Sequence, residues 1–174
     1  MSITDRMIRA ARLDASLYEE VEADTTLTGQ ATAVVLLAAV AAGIGALGRS
    51  PGALVGAAIA ALVGWYIWAG ITYLVGVKLL PEPQTKADFG QLLRTIGFAS
   101  APGVIRVLGI IPGLRWLTDA AGGLWMLVAM VVAVHQALDY TSPWRAVAVV
   151  IVGWIVFMIG AWRLAVGTIM PFVR

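Results

Sequence analysis

The sequence contains no cysteine and a single histidine, His135. Without cysteine the chain cannot form disulfides, thiolate metal sites or thiol redox centres. Charged residues are also scarce, since they make up 13% of the 174 residues, whereas hydrophobic residues make up 60%. So few polar side chains cannot cover the surface of a soluble domain of this size. The composition therefore indicates an integral membrane protein that is surrounded by membrane lipid.

Dense clusters of like charge are missing as well. The 12 basic and 10 acidic residues are scattered along the chain and give a net charge of +2, so no run could follow a phosphate backbone. We therefore expect no nucleic-acid partner. The sequence offers no motif for a reaction, a cofactor or a metal ion, and we expect a non-enzymatic protein without cofactor. Its length suffices for one compact bundle and not for an additional enzyme domain.

Five long apolar stretches lie between residues 30 and 171, separated by short turns that contain proline, glycine or charged residues. About 20 apolar residues are needed to cross a bilayer as a helix, and each stretch is long enough. Thr85 with Asp88 is expected to cap the third span, and Thr118 or Asp119 the fourth. The expected spans are residues 31–48, 53–77, 86–111, 119–138 and 143–170. The predicted fold class is all-α, a polytopic membrane bundle of five transmembrane helices.

An amphipathic segment of a different kind precedes these spans. Residues 1–29 are expected to form it, and residues 30–174 to form the membrane domain. Its apolar residues recur at steps of three and four and form one helical stripe: Ile3, Met7, Ala10, Leu13, Leu17 and Val21. Ser2 and Asp5 have the spacing of a capping pair. We expect an amphipathic helix that lies on the headgroups through its basic half; the alternative is a solvated helix packed on the loops of the bundle.

Small residues recur at four-residue steps on the first two spans. Inside lipid, small residues favour helix contact because they let two backbones approach closely. The second span carries Gly52, Gly56, Ala60 and Gly64, and the first carries Ala38, Ala42 and Ala46. We expect these two ridges to pack the first two spans tightly together. The alternative is that the ridge of the second span binds a second copy of the protein.

A few ionisable residues lie within the spans or at their ends, where an unpartnered charge is costly. They are Arg94, Arg106, Asp119, His135, Asp139 and Arg163. From the order of the spans we expect Arg94 to pair with His135 and Asp139 at one end of the bundle, and Arg106 or Arg163 to pair with Asp119 near the other. These pairs would fix the order of the helices. The alternative is that they line a pathway for a solute or a proton.

The third span contains a proline, Pro102, in its interior. Proline lacks a backbone N–H and clashes with the preceding turn, so it is expected to kink the helix and to free carbonyl groups. The hydroxyl of Ser100, a water molecule or a neighbouring helix would then have to bind those carbonyls. Broken helices of this kind line binding sites in some membrane proteins and serve only close packing in others.

The distribution of basic residues predicts the orientation. Basic residues near helix ends stay preferentially on the cytoplasmic side. With the N-terminus inside, the cytoplasmic side holds Arg6, Arg9, Arg12, Lys78, Lys86 and Arg145, and the outside holds Arg49, Arg115 and Arg174. We therefore expect a cytoplasmic N-terminus and, after five crossings, a C-terminus outside. Because charge persists as far as Asp24, the N-terminal region does not resemble a signal peptide and the first span is expected to be retained.

Two stretches resemble a known family. LPEPQTKADFGQLLRTIGFASAPGVIRVLG at residues 80–109 and DYTSPWRA at residues 139–146, set among five spans, are similar to bacterial Yip1-domain proteins. Eukaryotic relatives carry a Tyr-Gly-Pro motif near the start of the membrane region, which this sequence lacks. In those relatives the cytosolic N-terminus faces Rab-type GTPases and the family is associated with vesicle traffic.

The resemblance implies a role without catalytic residues. It suggests a scaffold, adaptor or accessory subunit in a bacterial inner membrane, which binds other membrane proteins or itself. The alternative function is a small transporter or channel that uses the intramembrane charges.

Overall fold

The computed structural model describes residues 1–46 and 51–169. Its regular structure in these ranges is entirely helical. The helices are α1 Ile3–Ala11, α2 Ala15–Ala23, α3 Thr28–Gly45, α4 Pro51–Tyr73, α5 Phe89–Phe98, α6 Arg115–Ala137 and α7 Pro143–Ile169. A π-helix, Leu74–Leu79, continues α4, and a 3₁₀-helix, Ala101–Ile110, follows α5. Five of these helical stretches are long and apolar enough to cross a membrane, which confirms the predicted fold class.

Two predicted helix starts are wrong. Asp88, not Thr85, caps α5, and it forms a capping box with Gln91; the Thr85 hydroxyl instead donates to the Leu138 carbonyl. Helix α6 begins at Arg115, ahead of Thr118 and Asp119, because Gly113 adopts a φ of +86° and turns the chain early. The expected ends of the first span at residue 48 and of the fifth at residue 170 lie outside the described residues.

The N-terminal amphipathic segment folds as two helices. The Ser2–Asp5 capping box opens α1 as expected. Leu13 adopts a φ of 62°, a left-handed conformation that ends α1, and Asp14 caps α2. We call α1 and α2 together the N-terminal hairpin.

The apolar stripe of the N-terminal hairpin contacts protein. Leu17, Tyr18 and Val21 of α2 are fully buried and belong to the hydrophobic core that α5 and α6 share. Trp125 of α6 donates its indole N–H to the carbonyl of Ala11 at a distance of 2.8 Å. The apolar stripe therefore packs against the bundle, and the contact of the basic half with headgroups stays a prediction.

The first span packs along the third span. A Cβ atom on Gly97 would lie 2.8 Å from the Cβ of Ala31, and one on Gly103 would lie 3.3 Å from the Cβ of Ala38. At the far end, a Cβ on Gly45 would overlap the carbonyl oxygen of Arg106. The two helices therefore run parallel, with glycines at the points of closest approach.

The ridge on the second span is not part of this packing. Gly52, Gly56 and Ala60 are exposed, and a Cβ added to Gly52, Gly56 or Gly64 would meet nothing within 4 Å. The expected contact of this ridge with the first span is wrong, because α3 turns its small residues toward the third span instead. Contact between α3 and α4 is made elsewhere, where Leu54 packs on Gly43.

The third span changes its helical form at the predicted break. Helix α5 ends at Phe98, and Pro102 lies in the first turn of the 3₁₀-helix. The Ser100 hydroxyl donates back to the Ile96 carbonyl at 3.5 Å. That carbonyl lacks its α-helical partner because the Ser100 N–H bonds the Gly97 carbonyl instead, whereas the carbonyl that Pro102 leaves free is that of Phe98.

Candidate functional site

The ionisable residues of the spans lie in separate places along the bundle rather than in one network. Arg94 lies at the end that holds the N-terminal hairpin, Arg106 lies in the interior, and Arg115 with Asp119 begins α6 at the opposite end. Arg163 is exposed on α7.

Arg94 binds the N-terminal hairpin. Its side chain is buried, its Nε donates to the Val21 carbonyl at 2.8 Å, and an Nη donates to the Glu22 carbonyl. These carbonyls end α2, where a helix leaves its last C=O groups without partners. The expected pairing of Arg94 with His135 and Asp139 is wrong because α2 occupies the space between α5 and α6.

Glu22 is an acidic residue of this region that is partly removed from solvent. Its carboxylate accepts a hydrogen bond from the Gln91 side chain at 3.0 Å. Burial, together with the nearby charge of Asp139, raises the pKa of Glu22 to about 7, although the positive charge of Arg94 acts in the opposite direction. Asp139 is exposed in the turn after α6, and His135 is half-buried on the last turn of that helix.

A second polar cluster joins the loops at the same end. Glu82 accepts hydrogen bonds from the backbone and side chain of Thr141 and forms an ion pair of 3.2 Å with Arg145. The Tyr140 hydroxyl lies within hydrogen-bond distance of the carbonyls of Gly76 and Leu80, at 3.0 and 2.8 Å. These contacts join residues 80–88, which we call the second loop, to residues 138–142, which we call the fourth loop. They also supply a donor for carbonyls at the end of the π-helix.

At the opposite end, Asp119 pairs with its neighbour on the same helix. Its carboxylate lies 3.7 Å from the Nε of Arg115, and both side chains are about half exposed. Arg106 instead extends over Gly122 and Gly123 of α6, where an added Cβ would lie 3.3 Å from its Nε or Nη2. The expected pair of Arg106 and Asp119 is therefore wrong, because the guanidinium points into the bundle.

The bundle contains a partly open cavity of about 550 Å³ that we call the central cavity. Each of the five spans contributes to its wall, as shown by Ala38, Trp68, Ser100, Arg106, Met126 and Phe157. Most of the lining is alanine, glycine and other apolar side chains. Among the described residues that line it, Arg106 is the only charged one. A mainly apolar cavity with few polar groups is typical of a small-molecule site.

Two polar atoms near this cavity have no hydrogen-bond partner within the described part of the chain. They are Nε of Arg106 and Nε1 of Trp68. By contrast, the neighbouring Trp65 donates its indole N–H to the Leu93 carbonyl at 2.9 Å. Buried donors without acceptors are rare in folded proteins, so these two atoms mark the polar part of the central cavity.

The sequence identified some of these residues and missed others. Arg106 and Ser100 were expected as a buried charge and as part of the kink. Trp68 was missed, because an aromatic residue in a membrane span usually indicates packing or the interface. Its unpartnered indole N–H depends on how Trp68 packs edge-to-face on Phe157 of α7, with ring centroids 5.9 Å apart, a contact between distant parts of the chain.

Comparisons with known proteins give one family and one curated relative. The relative, "Ammonium transporter 3" of Dictyostelium discoideum, is 28% identical over 106 residues, which are 61% of this chain. The chain spans about a quarter, 24%, of the length of that relative. No solved structure matches the chain. Residues 15–164 match the sequence model of the family described as the Yip1 domain. Since this match covers most of the chain and begins at the first residue of α2, the chain belongs to the Yip1 domain family.

Proposed function

We propose that this protein is a non-enzymatic scaffold or accessory subunit that assembles with a second copy of itself through α4. We further propose that it does so in a bacterial inner membrane, with its N-terminus in the cytoplasm. The observation that supports the proposal is the ridge of Gly52, Gly56 and Ala60 on α4, which continues to Gly64. A Cβ added at Gly52, Gly56 or Gly64 would meet no atom of the described residues within 4 Å.

The shape of this face favours another helix over lipid alone. Val55, Ile59 and Val63 are exposed beside the ridge, with exposed fractions of 60%, 58% and 52%. They form one wall of a shallow groove whose floor is glycine and alanine. From Gly52 to Gly64 the ridge is about 18 Å long at a rise of about 1.5 Å per residue. A second copy offers a matching groove and wall, so the face is self-complementary in a symmetric dimer.

The placement of the charges supports a structural role for most of them. Arg94 binds the N-terminal hairpin, Arg145 with Glu82 binds two loops together, and Arg115 with Asp119 lies at a helix start. A proton relay requires ionisable groups that follow one another across the membrane. The separation of these groups favours the scaffold over a relay.

A small transporter or channel is the second candidate, and the central cavity is the observation that favours it. The name of the relative suggests ammonium as a solute. A positive guanidinium at the cavity wall would repel an ammonium ion, so Arg106 argues against that solute for this chain.

Cysteine cross-linking tests the scaffold directly, because the natural chain has no cysteine. Gly56→Cys places a thiol on the ridge, and Gly160→Cys is the matched control, since Gly160 is also exposed and also has open space around it. In native membranes under mild oxidation we expect a disulfide-linked dimer for Gly56→Cys and monomer for Gly160→Cys.

A bulky substitution supplies the complementary measurement. When a tagged and an untagged copy are expressed together, Gly56→Ile should lower the amount of untagged copy that co-purifies with the tagged one at least tenfold. Gly160→Ile should leave that amount unchanged, because only the first substitution fills the proposed contact. Cross-linking of both cysteine variants to the same extent, or undiminished recovery with Gly56→Ile, would refute assembly through α4.

A further inference from the structure

Two side chains of the third span line the central cavity at different depths. Ser100 and Arg106 line it from the third span, and they lie about 12 Å apart along the axis at the ~2 Å rise of a 3₁₀-helix. The cavity therefore extends along the bundle rather than being a rounded pocket. Its volume of about 550 Å³ is within the range of ligand sites.

The polar groups of the cavity select the charge of an occupant. Arginine has five N–H donors, no acceptor and a permanent positive charge, and the indole N–H of tryptophan is a donor only. Nε of Arg106 and Nε1 of Trp68 are both buried and without partner among the described residues. No carboxylate belongs to the described lining. An occupant that satisfies these donors must bring acceptor oxygens, and a negative charge would also balance the guanidinium.

The apolar lining determines which kind of molecule can fill the rest of the central cavity. Ala38, Ala42, Ala57 and Ala61 give a smooth apolar surface, and Met126 supplies a flexible side chain that can adapt to an occupant. Such a wall offers an aliphatic chain dispersion contacts without polar partners. It offers none of the hydrogen bonds that a sugar or a nucleotide would require.

The cavity also has access from the bilayer. Ala60 lines the cavity and is exposed at the same time, so the opening lies on the α4 side, where lipid surrounds the protein. An occupant can therefore enter from the membrane, where amphiphiles are concentrated.

We propose that the central cavity binds an anionic amphiphile, a molecule with a carboxylate or phosphate head and one aliphatic chain. The head accepts hydrogen bonds from Arg106, and the chain lies along the alanine wall toward Ser100 and Trp68. This site goes beyond the scaffold function. Its opening includes Ala60 of the α4 ridge, so a second copy bound to that ridge would cover the opening.

Binding is measured on the full chain in nanodiscs of zwitterionic lipid. Radiolabelled dodecanoate and dodecyl phosphate test the two heads, dodecanol tests the chain without charge, and acetate tests the charge without chain. We expect saturable binding of dodecanoate, dodecyl phosphate or both, at least tenfold tighter than that of dodecanol and acetate. The stronger of the two anionic probes identifies the head. Equal binding of dodecanol, or no saturable binding of either anionic probe, would overturn the proposal.

Variants assign the binding to the cavity. Arg106→Gln should weaken binding at least tenfold, because it removes the charge that the head contacts. Ala57→Leu keeps this charge but fills part of the apolar wall, so it too should weaken binding. Arg163→Gln is the matched control, since Arg163 is an exposed arginine on α7 and does not belong to the lining. Unchanged affinity in both Arg106→Gln and Ala57→Leu would contradict the site even if the amphiphile bound elsewhere.

Discussion

Arg94 is the residue that ties the N-terminal hairpin to the membrane-spanning helices. A buried arginine usually pairs with a carboxylate. Here two backbone carbonyls at the end of α2 accept its hydrogen bonds instead. The C-terminal end of a helix carries partial negative charge, which makes it a suitable partner for a cation. One side chain thereby caps α2 and attaches it to α5.

The partners of Arg94 and Arg106 could not be predicted from the sequence. The cost of an intramembrane charge identified both residues as important, because that cost depends only on residue type and depth. The choice of partner depends on which chain segment fills the space around each guanidinium. For Arg94 that segment is α2, which lies more than seventy positions earlier in the chain, and no local pattern indicates this.

Glu22 should make the stability of the protein depend on pH. Its pKa is raised from 4.5 to about 7 in the folded protein, chiefly by burial. The folded state therefore favours the protonated carboxyl, and stability falls as the pH rises from about 4.5 to about 7. Glu22→Gln keeps an acceptor for Gln91 but cannot ionise. We expect it to raise the melting temperature at pH 8 by a few degrees and to leave it unchanged at pH 4.5, as measured by thermal unfolding in a non-ionic detergent.

A graded comparison comes from one turn earlier on the same helix. Glu19 is exposed, and its charge is one of the lesser causes that raise the pKa of Glu22, so Glu19→Gln should produce a difference of the same sign that is smaller than that of Glu22→Gln. A Glu22→Gln variant whose melting temperature changes equally at both pH values would show that the ionised carboxylate carries no penalty in the folded state.

At the scale of elements, the 3₁₀-helix lets the third span match the first span in length. Between their close contacts, α3 from Ala31 to Gly45 rises about 21 Å at ~1.5 Å per residue. The third span from Gly97 to Gly109 would rise only ~18 Å as an α-helix, but it rises about 22 Å because most of it is 3₁₀-helix at ~2 Å per residue. The extended form keeps glycines aligned at both ends of the contact.

The sequence indicated this break but not its form. Pro102 predicts an interruption because proline cannot donate the backbone hydrogen bond of an α-helix. It does not predict a long 3₁₀-helix, since runs of more than three or four residues are uncommon. Here the run extends from Ala101 to Ile110. Packing against α3 and α6, rather than local propensity, accounts for that length.

Gly45 provides a test of this close contact. A Cβ at this position would overlap the backbone carbonyl of Arg106, which cannot move away as a flexible side chain would. We expect Gly45→Ala to lower the free energy of unfolding by about 1–3 kcal/mol, the usual cost of overpacking. Gly29→Ala is the control in the same helix, because a Cβ there meets nothing within 4 Å. It should be neutral or stabilising by up to about 1 kcal/mol. Thermal and denaturant unfolding measure the free energy of unfolding of both variants. Equal stability of the two variants would contradict the close approach of Gly45 to the Arg106 carbonyl.

At the scale of the whole molecule, exposed tryptophans mark the thickness of the membrane. Trp144 and Trp162 of α7 are exposed by 78% and 71%. They are about 27 Å apart along the helix at ~1.5 Å per residue, close to the ~30 Å of a hydrocarbon core. Tryptophan favours the two interfaces, so α7 spans the bilayer between them.

The number and order of the spans could be predicted because they depend on local features. Apolar length and turn residues such as Pro143 and Gly113 act within a few residues of their own position. The packing of the N-terminal hairpin could not be predicted in this way. Its stripe placed Leu17 and Val21 on one apolar face, which is buried in the structure, but an amphipathic pattern does not reveal whether lipid or protein covers that face.

The arrangement of the loops leads to a prediction of orientation. Arg145 contacts Pro81 and Glu82, and Arg94 contacts Glu22, so the N-terminal hairpin and the second and fourth loops share one end of the bundle. That end holds most of the basic residues outside the spans, which favours the cytoplasm.

Impermeant labelling of single cysteines tests this orientation in intact cells. Leu114→Cys, in the turn between the third and fourth spans, should react with a membrane-impermeant maleimide. Pro83→Cys, an exposed position in the second loop, should react only after the cells are lysed. Both changes leave every basic residue in place, so the charge bias that sets the topology is not altered. A reporter fused after Arg174 should likewise be active outside the cytoplasm, because an odd number of crossings separates it from the N-terminal hairpin. A cytoplasmic reporter signal would refute the five crossings, and the reverse labelling pattern would refute the cytoplasmic N-terminus.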